Sequence, residues 1–504
     1  MHLGRFSAAA CVFVWVPAGS AQATPAQAAS VQRIAAAITA NALKADVSFL
    51  ASDALEGRGT PSRGLEVAAE FIASQFRRAG LEPAGDDGYF QTASYVAVTP
   101  RLDGLALTLE ISGRQVKVDR GSMFLEEAAA VDLVQVPAIK ISLEDAGLEA
   151  LTPEQMRGKV LLIDDAGGFP ALRRLPALIR RLQPPASILV RAAGSNAAPD
   201  AAGVRLREAS AAPGPLLVVW DEAFCDAVAA FKPGPIEGAV SLHVSAPATA
   251  SAKVHNVIGV LGGSDPVLKH TFVFVTAHYD HLGIRDTGQP DPIFNGANDD
   301  ASGTASVIEI ANALAALPAR PRRSMVFMAL FGEEMGLLGS RYYVGHPIFP
   351  LANTVADINL EQLGRTDDNT GPRVGLVNVT GYDFTTLTPI FRDAGDECGI
   401  RVVKDARNSD PFFARSDNQP FADAGIPAHT LSVGYVFPDY HQPGDEWPKL
   451  DYDNMAKVDC TVALGVLKVA DSAQAPRWNA DNPATGRYVR ARESLTHESG
   501  SAPR

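Results

Sequence analysis

The second half of the chain sets the tightest constraint on its fold. From His255 onward, short apolar and β-branched runs alternate with segments whose apolar residues recur at i, i+3 and i+4. Thr271 to Ala277, Ser324 to Phe331, Val355 to Leu360, Val374 to Val379 and Ala428 to Val433 read as strands. Ser302 to Leu317, Glu334 to Val344 and Met455 to Ala470 read as helices. Strands this apolar must be covered on both faces, and their alternation with helices predicts a largely parallel sheet flanked by helices. The fold class is α/β.

The first half has a different texture. Thr24 to Ser30 reads as a linker, and helical spacing follows over Val31 to Leu43 and Leu65 to Ala79. Between these lies a glycine-rich loop, L-E-G-R-G-T-P-S-R-G over 55–64, which lacks the lysine and spacing of a phosphate loop and reads as structural. Residues 96–250 carry short β-like runs (Leu105 to Ile111, Val160 to Ile163, Ile188 to Val190, Leu216 to Val219) between Pro-, Gly- and Ala-rich joints. They read as an inserted, smaller, β-rich domain without metal-ligand clusters. Within them Arg173 to Leu182 is basic and amphipathic, interrupted by Pro176, and reads as a solvated helix face. The core is placed at 251–474 and a frayed tail at 475–504.

Residues 1–23 have the form of a secretory signal: Arg5, the apolar stretch Ala8 to Val16, then Ala21-Gln22-Ala23 as a small-x-small cleavage site. No stretch is long and apolar enough for a stable membrane span, so the mature chain is expected in the periplasm or outside the cell. A net charge of -13 over 504 residues argues against nucleic acid or anionic membrane as a partner. Cys225, Cys398 and Cys460 leave an odd count after the signal. Cys398 and Cys460 can pair or be buried as small apolar residues, and nothing marks a cysteine nucleophile.

The chemistry sits at strand ends, where ligands of open α/β sheets bind. His278 and Asp280 occur in T-A-H-Y-D-H, Asp299 in G-A-N-D-D-A-S-G, Glu333 and Glu334 in F-G-E-E-M-G, Glu361 in I-N-L-E-Q-L-G, and His441 in D-Y-H-Q-P-G-D. Imidazole and carboxylate in these numbers can hold two divalent metals with one carboxylate to spare, the inventory of a two-metal hydrolase.

These motifs resemble the M28 family of zinc peptidases, which includes bacterial aminopeptidases. D-V-S-F-L-A-S-D-A-L-E-G-R near residue 50, H-N-V-I-G-V-L-G-G near 255 and S-D-N-Q-P-F near 416 extend the likeness over roughly 31–95 and 255–472. The resemblance implies the zinc-aminopeptidase (phosphorylase/hydrolase-like) fold, a protease-associated-like insertion and a peptide substrate. It implies two zinc ions per chain, with His278 and Glu361 on one, Glu334 and His441 on the other, and Asp299 bridging. Glu333 would be the general base, Asp280 would orient His278, Tyr440 would polarise the carbonyl, and Asp300 would follow a strained peptide. Glu361 stands where the family usually has aspartate, and Asn418 where relatives often have histidine; the latter is expected to tune specificity. His255, His281, His346 and His429 match no ligand position and read as structural. A carboxypeptidase, a single-zinc glutaminyl cyclase and a non-catalytic binding protein are the alternatives; no basic cluster that a carboxypeptidase would need is visible in the sequence.

Overall fold

The computed structural model describes residues 25–500 except 145–147, 149, 165–173, 192–202, 209–213, 286–287 and 289. The signal segment expected at 1–23 lies outside the described residues. No described helix is long and apolar enough to cross a membrane.

The larger sheet has ten strands: β1 (Glu82–Pro83), β2 (Phe90–Thr99), β3 (Arg205–Arg207), β4 (Ala248–Leu261), β5 (Phe272–His278), β6 (Ser324–Leu330), β7 (Thr354–Leu360), β8 (Leu376–Val379), β9 (Arg401–Val403) and β10 (Ala428–Ser432). Their order is β9-β8-β10-β7-β5-β6-β4-β2-β3, with β1 paired to β4. The centre, β10-β7-β5-β6, is parallel throughout. The flanks are not: β4, β2 and β3 run antiparallel to their neighbours, and β8 is antiparallel to β10. The sheet is therefore mixed; at the far edge β8 and β9 are again parallel, with the helix Leu387–Cys398 connecting them.

β5, β6, β7 and β10 are buried along almost their whole length, as their unbroken apolar runs require. The helix Ser302–Ala315 is buried on nearly all sides, packed between the sheet and the helices Ala40–Leu50 and Tyr452–Asp471. Cys398 and Cys460 form a disulfide with Cα atoms 6.0 Å apart, joining the helices Leu387–Cys398 and Tyr452–Asp471. Cys225 is unpaired and half-buried.

A second sheet of eight strands is built wholly from residues between Ala106 and Val244 and encloses its own apolar core. Its separation from the first is incomplete. β2 and β4 lead out of and back into the larger sheet, and β3, from within the inserted stretch, pairs with β2 at the sheet edge.

Several local expectations need correction. The linker expected over 24–30 is helical from Pro25 on, in Pro25–Ala37, and a second helix, Ala40–Leu50, starts where the Thr39 side chain accepts from Ala42 N. Pro176 does not interrupt the basic helix but sits in its first turn, Leu175–Leu182, where a missing N–H costs nothing. The tail is not frayed through its length. Gly486–Gly500 is helical, and Tyr488 (3% exposed) stacks on Trp478 with ring centroids 4.7 Å apart. Arg492 donates to the carbonyls of Thr354 and Ala352, tying this helix to the start of β7.

Candidate metal centre

The carboxyl ends of the four parallel strands supply the site. His278 is the last residue of β5, Glu361 follows β7, and Glu333 and Glu334 follow β6 by two and three residues past Phe331. The loop after β10 carries Tyr440 and His441. Glu333 and Glu334 do not open a helix, contrary to the expectation from sequence. Gly332 (φ 67) and Leu337 (φ 64) bound a tight loop in which the Glu333 carbonyl accepts from Gly336 N and Leu337 N, both at 2.9 Å, and the helix starts only at Leu338. The left-handed Leu337 is the reason. The two glutamates are thus held on a loop anchored at both ends. Asp299 likewise lies before the helix Ser302–Ala315, with non-helical backbone and a cis peptide to Asp300.

Asp299 is central. Its Oδ1 is 3.3 Å from Nε2 of His278 and its Oδ2 is 3.2 Å from Nε2 of His441. Its backbone N–H donates to Asp445 at 3.0 Å, as does that of Asn298. One carboxylate therefore presents one oxygen to each of two imidazoles. His278, Asp299 and Glu361 form one compact group of potential ligands; His281, Asp299 and Glu334 form a second. His281 is the correction here. It is not a remote structural residue: its Nδ1 is 2.9 Å from Glu334 Oε1, which also lies 3.3 Å from His441 Nε2. His255, His346 and His429 do lie outside these groups. His429, for example, is buried between the Thr385 hydroxyl and the Thr380 carbonyl, both at 2.6 Å.

Asp280 occupies a more complex position than a simple histidine partner. His278 Nδ1 is 3.2 Å from the Asp280 carbonyl oxygen and 3.5 Å from its carboxylate. That carboxylate accepts from Glu333 N at 3.1 Å and from the Thr60 hydroxyl at 3.0 Å. It fixes the position of the Glu333 loop as well as facing the imidazole.

Burial and crowding set the charge states. Burial drives the Glu333 carboxyl well above the ordinary range, and neighbouring Glu334 and Glu361 add to this against the opposing pull of His278. Glu361 is raised for the same first reason, with Asp299 next. Burial works against ionised Glu334, but His441 and His281 hold it down at about 2. His441 is pushed up to about 10 against the effect of burial, by Glu334 and Asp299. Burial raises the Tyr440 phenol far above its usual value, so it stays protonated; its ring stacks on His441 at 3.9 Å.

Three supporting residues lie within motifs read from the sequence, but nothing in the motifs shows their roles. Arg58, in the glycine-rich loop, is completely buried beneath the site. It donates to the carbonyls of Tyr279 (2.8 Å), Asn295 (2.7 Å), Gly296 (2.9 Å) and Leu50, pinning the segments that end in His278 and lead to Asp299. Gly296, at φ 58, has no room for a side chain: a Cβ would stand 2.3 Å from the Asp299 carbonyl oxygen and 2.4 Å from the His281 ring. The Ser416 hydroxyl, which accepts from Asn359 Nδ2 at 2.8 Å, lies beside Glu361 and works against the rise of its pKa. Asn418 does not face the cavity. It is fully buried, donating to the Phe413 carbonyl and accepting from the Thr430 hydroxyl.

The centre opens into a cavity of about 320 Å³. Asp299, Glu333, Glu334, Glu361 and Tyr440 line it on one side. Arg415 and Tyr435 also line it.

Residues 256–466 match peptidase family M28. Aminopeptidase YwaD of Bacillus subtilis (strain 168) is 27% identical over 229 residues, 44% of this chain and 46% of that protein. A probable zinc metalloprotease of Leptosphaeria maculans is 29% identical over 203 residues, 35% of this chain and 46% of that protein. The chain spans about half the length of these curated relatives. In fold it is similar to an aminopeptidase from Aneurinibacillus sp. strain AM-1, with a TM-score of 0.60 and 18% identity over 89% of this chain and 97% of that one. The motif residues gathered at the ends of the four parallel strands all fall within the segment that matches peptidase family M28.

Proposed function

We propose that this chain is an exported aminopeptidase that works with two zinc ions and uses Glu333 to move the proton. The observation that carries this reading is Asp299, whose two oxygens face two different imidazoles at 3.3 and 3.2 Å. The donor set fits the cations. His278 Nε2, both ring nitrogens of His281 and Glu334 Oε1 are buried without a well-formed hydrogen bond, which is costly unless another partner binds them. His278 and Glu361 would hold one ion, Glu334 and His441 the other, and Asp299 both. His281, beside Glu334, is placed to complete or orient the second group.

Bound zinc supplies Lewis acidity, lowering the pKa of a water and polarising the scissile carbonyl. The remaining steps belong to the chain. Glu333 faces the cavity and carries a raised pKa, so it can accept the proton of the attacking water and return it to the leaving amine. Asp280 keeps Glu333 in place through its backbone N–H. Tyr440, held neutral by burial, can donate its phenolic proton in a hydrogen bond to the carbonyl oxygen as negative charge develops there. The free amine of the substrate would find its counter-charge in the carboxylates of the centre.

The test pairs metal analysis with one substitution. Wild-type protein is expected to bind two zinc equivalents. Glu333→Gln is expected to keep both while losing turnover of aminoacyl substrates about 10²–10⁴-fold. One firm zinc equivalent would favour the cyclase-like alternative, and full activity in the variant would refute the role of Glu333.

A further inference from the structure

Beneath the metal centre the sheet carries a row of polar side chains set among its apolar runs. Thr276 of β5 stands opposite Asn359 of β7, and Asn359 opposite Thr430 of β10. Two-residue alternation puts Asp357 on the same face of β7, and Glu361 is next in that series, the first residue beyond the strand. Thr276, Asp357, Asn359 and Thr430 are all buried. Groups so placed must satisfy one another, and their hydrogens can be counted. The count starts at a group with no choice. The Phe413 carbonyl can only accept, so Asn418 turns Nδ2 to it at 2.8 Å and Oδ1 to the Thr430 hydroxyl at 2.9 Å. Thr430 spends its single hydrogen there and must accept from Asn359 Nδ2, at 3.0 Å. That fixes the Asn359 amide. Its Nδ2 also donates to Ser416 Oγ at 2.8 Å, and its Oδ1 takes the hydrogen of Thr276 at 3.0 Å.

Both ends of the network are then determined. The Thr276 oxygen also lies 3.0 Å from Asp357 Oδ1 and, with its hydrogen spent, can only accept; Asp357 must donate, and so carries a proton. The other Asp357 oxygen is buried without a partner among the described residues, which is costly for an ionised carboxylate. Burial pushes this carboxyl well above its usual range, and Asp417 adds to the push. At the opposite end Ser416 has accepted from Asn359 and keeps its own hydrogen to give. Glu361 lies beside it, and both line the cavity. Glu361 has one more rotatable bond to order than an aspartate in its place, and otherwise accepts from Gln362 Nε2 at 3.2 Å. Resting on the two-zinc reading above, we infer that Asn418, acting through Thr430 and Asn359, is a positioning residue of the metal centre. It sets the direction of a hydrogen-bond network that runs from protonated Asp357 and turns the Ser416 hydrogen onto Glu361. Asn418 thereby serves the metal site rather than the choice of substrate.

Two measurements test the network. Zinc affinity is read by competition with a chelator in a double-mutant cycle. Ser416→Ala should cost about tenfold in the wild-type background. Asn359→Asp keeps the shape but turns the donor facing Ser416 into an acceptor, which draws the Ser416 hydrogen away from Glu361. In that background Ser416→Ala should cost less than about twofold. Any through-space effect of the added charge acts on both members of the pair alike and cancels. Asn418→Leu, which releases the amide from its anchor, should also reduce the cost of Ser416→Ala. On zinc-free protein, infrared difference spectra at about pH 8, where ordinary carboxyls are ionised, should show a protonated-acid carbonyl band that Asp357→Asn removes. An equal cost of Ser416→Ala in all three backgrounds, or no acid band belonging to Asp357, overturns this inference, while binding of two zinc ions leaves the metal reading standing. A protein that binds no zinc defeats that reading, and the infrared result then decides the direction of the network by itself.

Discussion

Arg58 gives the sharpest test of how the centre is held together. The perturbation is Arg58→Lys, which keeps the positive charge and removes the planar fork. In the wild-type structure the guanidinium serves four carbonyls, those of Leu50, Tyr279, Asn295 and Gly296, in a site closed to solvent. A lysine ammonium is a single point and cannot reach acceptors spread around a planar group; two carbonyls at least lose their donor. Each buried acceptor left unmet costs about 1–3 kcal/mol, so the substitution should destabilise the fold by about 2–5 kcal/mol. Against a typical stability of about 5–15 kcal/mol that loss is large. Burial depresses the guanidinium pKa to about 10, with Asp280, Asp445, Asp300 and Asp299 acting to restore it, so the group remains charged at neutral pH. Charge is thus not what the lysine variant lacks. The assay is urea denaturation followed by circular dichroism, with zinc affinity measured on the folded fraction. Because Tyr279 follows His278 and Gly296 leads to Asp299, zinc affinity should fall as well. A variant within about 0.5 kcal/mol of wild type, binding zinc normally, would refute the reasoning and mean that water can replace the fork.

Three further outcomes are expected. Ser416→Ala removes the hydroxyl on Glu361 and should weaken zinc binding by about tenfold in competition with a chelator, with little change in the melting temperature of zinc-free protein. Asp46 is buried against Glu309, which places its pKa at about 7, so the folded chain holds a proton that the unfolded chain releases above about 4. Stability contributed at that site is present at low pH and lost as pH rises from about 4 to 7; Asp46→Asn should therefore flatten the pH profile and exceed wild type at pH 8 by about 2 kcal/mol, read by denaturant melts at several pH values. Tyr488→Ala, which empties the place stacked on Trp478, should cost about 3 kcal/mol by thermal unfolding, whereas a frayed tail would show no effect.

What could be read from sequence was what local pattern determines. The apolar runs of β5, β6, β7 and β10 mark buried parallel strands, and His278 and Glu361 sit at their ends by position alone. What could not be read depends on partners far along the chain. Arg58 meets Tyr279, Asn295 and Gly296 across 221, 237 and 238 residues, and its own loop carries no mark of them. Pairing of Cys398 with Cys460, 62 residues apart, has the same character. The helix expected from Glu334 failed on a single left-handed residue, Leu337, which has no intrinsic preference for that conformation. His281 reads as structural from sequence because it matches no ligand position of the family, whereas its proximity to Glu334 comes from the turn after β5. The C-terminal helix has a polar sequence whose stability rests on one aromatic stack and on Arg492, neither of which has a periodic signature.

The same long-range partners explain why the centre calls for cations. Asp280, Asp299, Asp300 and Asp417 are all buried around His278, with Glu333 and Glu361 facing the cavity beside them. Burial pushes Asp300 and Glu333 well above the usual carboxylate range and Asp417 up to about 7. Negative charge at this density inside a protein is sustained only by protons or by metal. Divalent ions bound to Asp299, Glu334 and Glu361 would take over that compensation, so zinc binding should be coupled to folding stability and release protons. Arg58 then has a distinct part. It supplies one fixed charge and four hydrogen bonds from behind, enough to hold the loops in register but too little to neutralise the acids. That division predicts that added zinc rescues the stability of Arg58→Lys only partly, because zinc restores charge balance and leaves the carbonyls of Asn295 and Gly296 unmet.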